Sequence, residues 1–176
     1  MQSLATARLV LRPLTLRDAD FVLAVLNDPA FIRFIGDRHV RTREQAQEYI
    51  SHGPVRDYKD LGHGMLLAEM KADATPIGLC GLLKREYLPD ADIGFAFLPA
   101  YRSQGFALEA ATAVIDHAFA TLALPRILAV VQPDNVASRQ LLQKLGMHVD
   151  RAFKIAANQS ELLLLARTCE ALSLPP

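Results

Sequence analysis

Apolar residues along this chain recur with two different periods, and the order in which the periods alternate predicts the order of its elements. Arg8-Leu9-Val10-Leu11-Arg12-Pro13-Leu14 alternates as a strand does, and Pro13 marks an edge or a bulge. From Asp18 to Asn27 the spacing turns helical, with Phe21, Val22, Val25 and Leu26 on one side and Asp28-Pro29 as the stop. Thr42-Arg43-Glu44-Gln45 is a capping box opening a second helix to about His52, which Gly53-Pro54 ends. Three strand-like runs follow, Met65 to Met70, Pro76 to Leu83 and Ala91 to Leu98. Leu108, Ala111, Ile115, Ala118, Phe119 and Leu122 then recur at three- and four-residue steps, a helix with one buried face. Pro125 resets the chain before Ile127-Leu128-Ala129-Val130-Val131, a continuous apolar run typical of a strand buried on both faces. Asp134 or Asn135 caps a helix to about Leu145, with Gly146 as its C-terminal residue. Strands around Met147 to Ile155 and Ser160 to Ala166 are joined by Ala157-Asn158-Gln159, and the residues from Ala171 onward read as a frayed tail.

This order implies an α/β (α+β) fold, a mixed sheet of about seven strands with helices on its faces. The unit from Asp92 to Gln132 is strand–helix–strand, which pairs two parallel strands through a right-handed crossover. Between its first strand and its helix lies Tyr101-Arg102-Ser103-Gln104-Gly105-Phe106-Ala107-Leu108-Glu109. A turn containing Gly105 and Ala107 leaves backbone N–H groups uncovered at the positive end of a helix, a ready site for phosphate or pyrophosphate. It also falls at the carboxyl end of a strand, where open sheets hold ligands.

Composition narrows the picture. At 176 residues the chain suits one compact domain, and Lys plus Arg equals Asp plus Glu at 19 each. A formal charge of zero argues against broad nucleic-acid or anionic-membrane binding. No apolar run approaches the ~18 residues needed to span a bilayer, and the first residues lack a basic segment followed by an apolar one. A soluble cytoplasmic protein is therefore expected. Cys80 and Cys169 lack zinc or CxxC spacing, and Cys80 reads as a buried, inert thiol. His39, His52, His63, His117 and His148 are scattered without a ligand cluster, so no metal is expected. The GxGxxG, Walker A and GxSxG templates are unmatched.

Three blocks together resemble a known family. Arg102-Ser103-Gln104-Gly105-Phe106-Ala107 is similar to the acyl-CoA signature Arg/Gln-x-x-Gly-x-Gly/Ala of the GCN5-related N-acetyltransferases (GNAT). Asn135-Val136-Ala137-Ser138 with Lys144-Leu145-Gly146-Met147 resembles a second family block. Arg8-Leu9-Val10-Leu11-Arg12-Pro13 followed by Asp18-Ala19-Asp20 resembles the ribosomal-protein N-terminal acetyltransferase branch, the RimJ/RimL type. The similarity runs from about residue 7 to 168 of a single domain over 1–176. It implies the GNAT fold, with a mostly antiparallel central sheet, and an acetyl-CoA-dependent transfer of acetyl to a primary amine of a protein N-terminus or a small molecule.

The resemblance also implies a cofactor site. Backbone N–H groups from Arg102 through Ser103, Gln104, Gly105, Phe106 and Ala107 to Leu108 would bind the CoA pyrophosphate. The edge at Phe97 and Leu98 would pair with the pantetheine arm, whose amides can bond a strand edge as a peptide does. Arg102 has two readings, attraction to a phosphate or a solvated loop cation. Glu109, negative beside a phosphate site, is read as structural. Asn135 is carried over as a CoA-side contact, against the alternative that it only caps its helix.

Transfer to an amine of pKa ~10 needs a route for its proton. Asp92 is the candidate base, at the position where histone-type members place a Glu; the alternative is an exposed strand-end carboxylate. Alternation puts Ile93, Phe95 and Phe97 on one face and Asp92, Gly94 and Ala96 on the other, so small residues beside Asp92 leave room for an acceptor. Asp is shorter than Glu, which calls for a relaying water. Glu69 is a second, weaker candidate. Where many members carry a Tyr acid, the matching position is Leu142. Ser138, one turn earlier, is a CoA contact or a proton relay, and a thiolate of pKa ~8.5 scarcely needs an acid. The missing Tyr keeps open a reading from another class, a non-catalytic module that senses acyl-CoA. Arg33, Arg38, Arg41 and Arg43 make one region basic, which suits an acidic peptide or ordinary solvated charge. Oligomeric state stays open, a homodimer included.

Overall fold

The computed structural model describes residues 2–156 and 160–169, so the expected link at 157–159 and the tail at 171–176 lie outside the described residues. The sheet has eight strands, β1 (Leu4–Ala5), β2 (Leu9–Pro13), β3 (Met65–Met70), β4 (Pro76–Leu83), β5 (Asp92–Phe97), β6 (Arg126–Val131), β7 (His148–Phe153) and β8 (Leu162–Thr168). Their spatial order is β1-β2-β3-β4-β5-β6-β8-β7, and every neighbouring pair is antiparallel except β5 with β6. The strand beyond the expected seven is β1, whose two residues are too few to show a period.

The helices are α1 (Ala19–Leu26), α2 (Pro29–Phe34), α3 (Arg43–Ile50), α4 (Arg56–Asp60), α5 (Phe106–Ala120) and α6 (Val136–Lys144). Side-chain alternation sorts them onto two faces. Leu66, Cys80, Ile93, Phe97, Ile127, Ala129 and Val131 meet Ala111, Val114, Ile115 and Ala118 of α5 and Leu142 of α6. Leu67 and Leu79 face the other way, onto Val22, Val25 and Leu26 of α1 and Ala46 and Ile50 of α3. On that second face Leu88, Leu128 and Leu164 form a separate small cluster. β6 is thus covered on both sides, as its unbroken apolar run predicts.

Two punctuation signals act differently from expectation. Asp28-Pro29 does end α1, but the same pair starts α2. The Asp28 carboxylate accepts from the N–H groups of Ala30 and Phe31, and Pro29 takes the first helical position, where its missing N–H costs nothing. Gly53-Pro54 does not terminate the second helix. The chain runs on through a π-helical turn, Ser51–Val55, into α4. The widened turn admits the proline ring that a regular α-helix would reject. Tertiary anchors hold it there: Pro54 is buried, and the Tyr58 hydroxyl receives the Leu14 N–H at 3.0 Å while donating to the Met65 carbonyl.

Neighbouring backbone packs closely where side chains are absent. A Cβ on Gly81 would lie 2.2 Å from the Gly64 carbonyl oxygen and 2.6 Å from Met65 Cα, both main-chain atoms that cannot swing away. Gly81→Ala is therefore expected to lower unfolding free energy by about 3 kcal/mol. Denaturant midpoints of the two proteins measure this, and equal midpoints would show that β3 and β4 part to admit a methyl group.

Candidate active site

β5 and β6 share one parallel register pair, Asp92 with Leu128, where the Leu128 N–H donates to the Ala91 carbonyl at 3.0 Å. Beyond it the strands diverge. Asp92, Gly94 and Ala96 turn their backbone groups to β4, and Leu98 continues that ladder by donating to Ile77 at 3.0 Å. Phe95 and Phe97 therefore turn theirs into the gap beside β6. The Phe97 carbonyl is taken by Arg102 Nε at 2.8 Å, and the Leu98 carbonyl accepts from Tyr101 at 2.9 Å. The open edge thus comprises both groups of Phe95 and the N–H of Phe97, whereas Leu98 has neither backbone group to spare.

The glycine turn lies at the end of this gap. A 3₁₀ turn at Pro99–Tyr101 leads to Ser103 at φ 60° and Gly105 at φ 83°, and α5 starts at Phe106. The N–H groups from Ser103 through Leu108 meet no acceptor among the described residues. Phe106 turns its ring into the core and offers only its backbone. Arg102 is not simply a solvated loop cation. Its Nη2 donates to Asp28, the buried cap of α2, so the guanidinium joins the turn, the end of β5 and α2.

Glu109 is structural, as expected. Its carboxylate accepts from Thr6 Oγ1 at 2.6 Å, the Arg8 N–H at 2.7 Å and Arg8 Nε at 2.7 Å, fastening the β1–β2 turn to α5. Burial pushes its pKa up, but the Thr6 and Arg8 hydrogen bonds outweigh this and hold it below the usual carboxylate range. Arg8 was not singled out from sequence, yet its guanidinium lies 4.2 Å over the Phe106 ring and donates to the Gln104 carbonyl at 3.1 Å. Nothing local to Arg8 signals a partner about a hundred residues away.

On the far side of the gap, Asn135 caps α6 by accepting from the Ser138 N–H at 3.1 Å, and Ser138 is half-buried. Leu142 is buried in the core. α2 reaches across to this side, since Arg33 pairs with Asp134 at 3.0 Å and Gln132 donates to the Arg33 carbonyl at 3.2 Å. Of the basic quartet, Arg41 pairs with Asp37 and Arg43 with Asp20, leaving Arg38 without an ion-pair partner among the described residues.

Asp92 is not an exposed strand-end residue. Its side chain is 1% exposed, and Arg85 Nε contacts its two oxygens at 3.1 and 2.9 Å. Burial raises its pKa, with Arg85 opposing the rise. Glu69 sits elsewhere: it pairs with Pro76 at one end of β4 while Asp92 pairs with Leu83 at the other, and Arg12 holds it at 2.8 Å. Beside Asp92 a cavity of roughly 280 Å³ is lined by Tyr49, His52, Gly53, Pro54, Asp57, Met65 and Leu83. Its Leu83 and Met65 walls border β5, since a Cβ on Gly94 would lie 3.0 Å from Leu83 Cδ1 and 3.5 Å from Met65 Sδ, although no β5 residue lines it.

Among the described residues no cluster of three His, Cys, Asp or Glu is arranged to hold a metal, and no helix is long and apolar enough to cross a membrane. Cys80 is buried, which pushes its thiol pKa up.

A family model described as an acetyltransferase (GNAT) domain matches residues 8–148. The uncharacterized N-acetyltransferase YoaA of Bacillus subtilis is 32% identical over 145 residues, covering 81% of this chain and 81% of that protein. An acetyltransferase from Agrobacterium tumefaciens strain C58 superposes with a TM-score of 0.80 at 25% identity, covering 96% of this chain and 95% of its own. RimL, a ribosomal L7/L12 alpha-N-protein acetyltransferase solved in complex with coenzyme A, reaches 0.83 at 16% identity, covering 95% and 98%. At that distance the likeness is one of fold. The mixed, mostly antiparallel sheet expected from sequence is the architecture these proteins share.

Glu109→Gln is expected to cost about 1–2 kcal/mol at neutral pH by weakening charge-assisted hydrogen bonds. Because the folded carboxyl has the lower pKa, its contribution is full above the unfolded value near ~4.3 and is lost as pH falls through the folded value. Melting temperatures of wild type and variant should therefore differ at pH 7 and converge in strong acid. A gap that persists unchanged in acid would show that the carboxylate charge is not what holds the turn.

Proposed function

Because this chain belongs to the GNAT acetyltransferase family, we propose that it is an acetyl-CoA-dependent N-acetyltransferase resembling the ribosomal-protein branch, acting on a primary amine of a protein N-terminus or a small molecule. The observation that carries this reading is the gap between β5 and β6, open beside a turn whose N–H groups lack acceptors among the described residues. A pantetheine arm laid along Phe95 and Phe97 would extend the sheet in place of β6, and the N–H groups from Ser103 to Leu108 would receive the pyrophosphate. Asn135 and Ser138 line the opposite bank as CoA contacts.

The amine nitrogen attacks the thioester carbonyl directly. A C–N bond forms, the C–S bond breaks, and the proton lost by nitrogen is balanced by one gained at the CoA sulfur. A backbone N–H of the open edge stabilises the developing oxyanion. Asp92 receives the proton. Burial makes it more basic than a free carboxylate, and a relaying water would join it to the amine because Arg85 occupies its oxygens.

Amine-dependent release of thiol from acetyl-CoA tests the function. Binding of CoA without turnover on any amine or peptide would favour the sensing module instead. Gly105→Ala places a side chain at φ 83° and 3.3 Å from Arg8 Nη2, so KM for acetyl-CoA should rise about tenfold, with kcat at saturation little changed. Asp92→Asn should lower kcat by about 10²-fold and flatten the acidic limb of the pH–rate profile. An unaltered limb with a raised acceptor KM would assign Asp92 a positioning role.

A further inference from the structure

We propose that the acceptor is a compact amine bearing a carboxylate, as a free α-amino acid does, and that Arg85 reads that carboxylate. This rests on the acetyltransferase reading and names its acceptor class.

Arg85 is held as a recognition group rather than as a surface cation. Its loop is fixed at both ends: Leu88 donates its N–H to the Arg85 carbonyl at 3.0 Å, and the buried Leu88 side chain packs with Leu128 and Leu164. Nε is fixed by Asp92, and Nη1 donates to the Tyr87 hydroxyl at 3.1 Å. Nη2 meets no acceptor among the described residues, while the side chain keeps 27% of its surface exposed. Isolating a buried ion pair from water gives little net stability, so stability alone explains the arrangement poorly. A guanidinium locked through two nitrogens with the third left over is instead prepared to take a planar anion.

The surroundings supply the rest of the site. Leu83 and Asp92 are register partners with side chains on the same face, so Arg85 is anchored next to the Leu83 wall of the cavity. Tyr49 lines that wall with a hydroxyl that no described residue engages, and the positive charges of Arg38 and Arg85 both act on it. Arg38, alone of its quartet, has no ion-pair partner among the described residues. The cavity wall thus presents the Tyr49 hydroxyl and, through the Leu83–Asp92 pair, adjoins the anchor of Arg85. Asp57 on the lining supplies the opposite sign, its ionic partner being the exposed neighbour Arg56 at 3.7 Å. A purely anionic ligand would meet repulsion there, whereas a zwitterion matches both signs. Apolar Met65, Leu83 and Pro54 suit an aliphatic body, and roughly 280 Å³ holds one amino acid.

The test uses matched ligands differing in one carboxylate, leucine against 3-methylbutylamine, and tetrapeptides beginning with Asp against Asn. Calorimetry on the CoA-loaded protein reads binding, and thiol release reads turnover. Leucine should bind the wild type at least tenfold more tightly than its decarboxylated partner, and the peptide pair should differ less. Arg85→Gln should remove the preference. Arg85→Lys, which keeps the partner of Asp92 charged, should retain part of it; melting curves establish that both variants fold. A preference confined to the Asp peptide would move the carboxylate source to a protein N-terminus and overturn the compact acceptor. Equal binding of both members, or an equal loss for both on Arg85 substitution, overturns the role of Arg85. Carboxylate-dependent binding without turnover would sustain this inference while defeating the catalytic one.

Discussion

β5 and β6 touch at a single residue pair and then separate, and the rest of the molecule is arranged around the edge this leaves open. An unpaired strand edge inside a sheet is costly unless something satisfies it. Here β5 is secured from the other side by its full ladder to β4, and β6 by its full ladder to β8. Each strand is therefore rigid without the other. That independence lets the gap persist as a feature of the fold, with its backbone groups available to a ligand that carries amides.

Holding the gap at a fixed width falls to polar contacts rather than to the core. Arg102 ties the end of β5 to the cap of α2, and Arg33 with Gln132 ties the same helix to the end of β6. The two tethers differ in strength. Asp28 is buried, so its pairing with Arg102 is sheltered from solvent, whereas Arg33 and Asp134 are more than half exposed and contribute little. α2 is thus fastened firmly on the donor side and loosely on the far side. Below the turn, Glu109 and Arg8 complete the support by joining the first strands to α5.

Much of this was legible in the residues. The strand before the turn, the helix after it and the double-sided burial of β6 follow from periodicity, because burial on one or two faces imposes that pattern directly. Glu109 could be read as structural because a negative charge is poorly placed at a phosphate cradle. The roles of Gly53-Pro54 and Arg102 were not legible. A proline ends a helix in isolation, but the anchors of Pro54 and Tyr58 outweigh that local preference. An arginine in a phosphate-binding motif suggests phosphate, yet Asp28 lies far back in sequence and nothing near Arg102 announces it.

What the sequence alone determined is the succession of the seven longer strands and of α1, α3, α5 and α6, the position of the glycine turn and the family, since each depends on local spacing or on short contiguous motifs. What the tertiary structure decided is which polar groups meet. Asp92 by itself is an acid at the start of a strand. Its burial, its engagement by Arg85 and its place beside the Tyr49–Asp57 cavity arise only when β4, β5 and α3 assemble. Electrostatic character depends on distance through space and on exclusion of water, and neither quantity is encoded in any short stretch of chain.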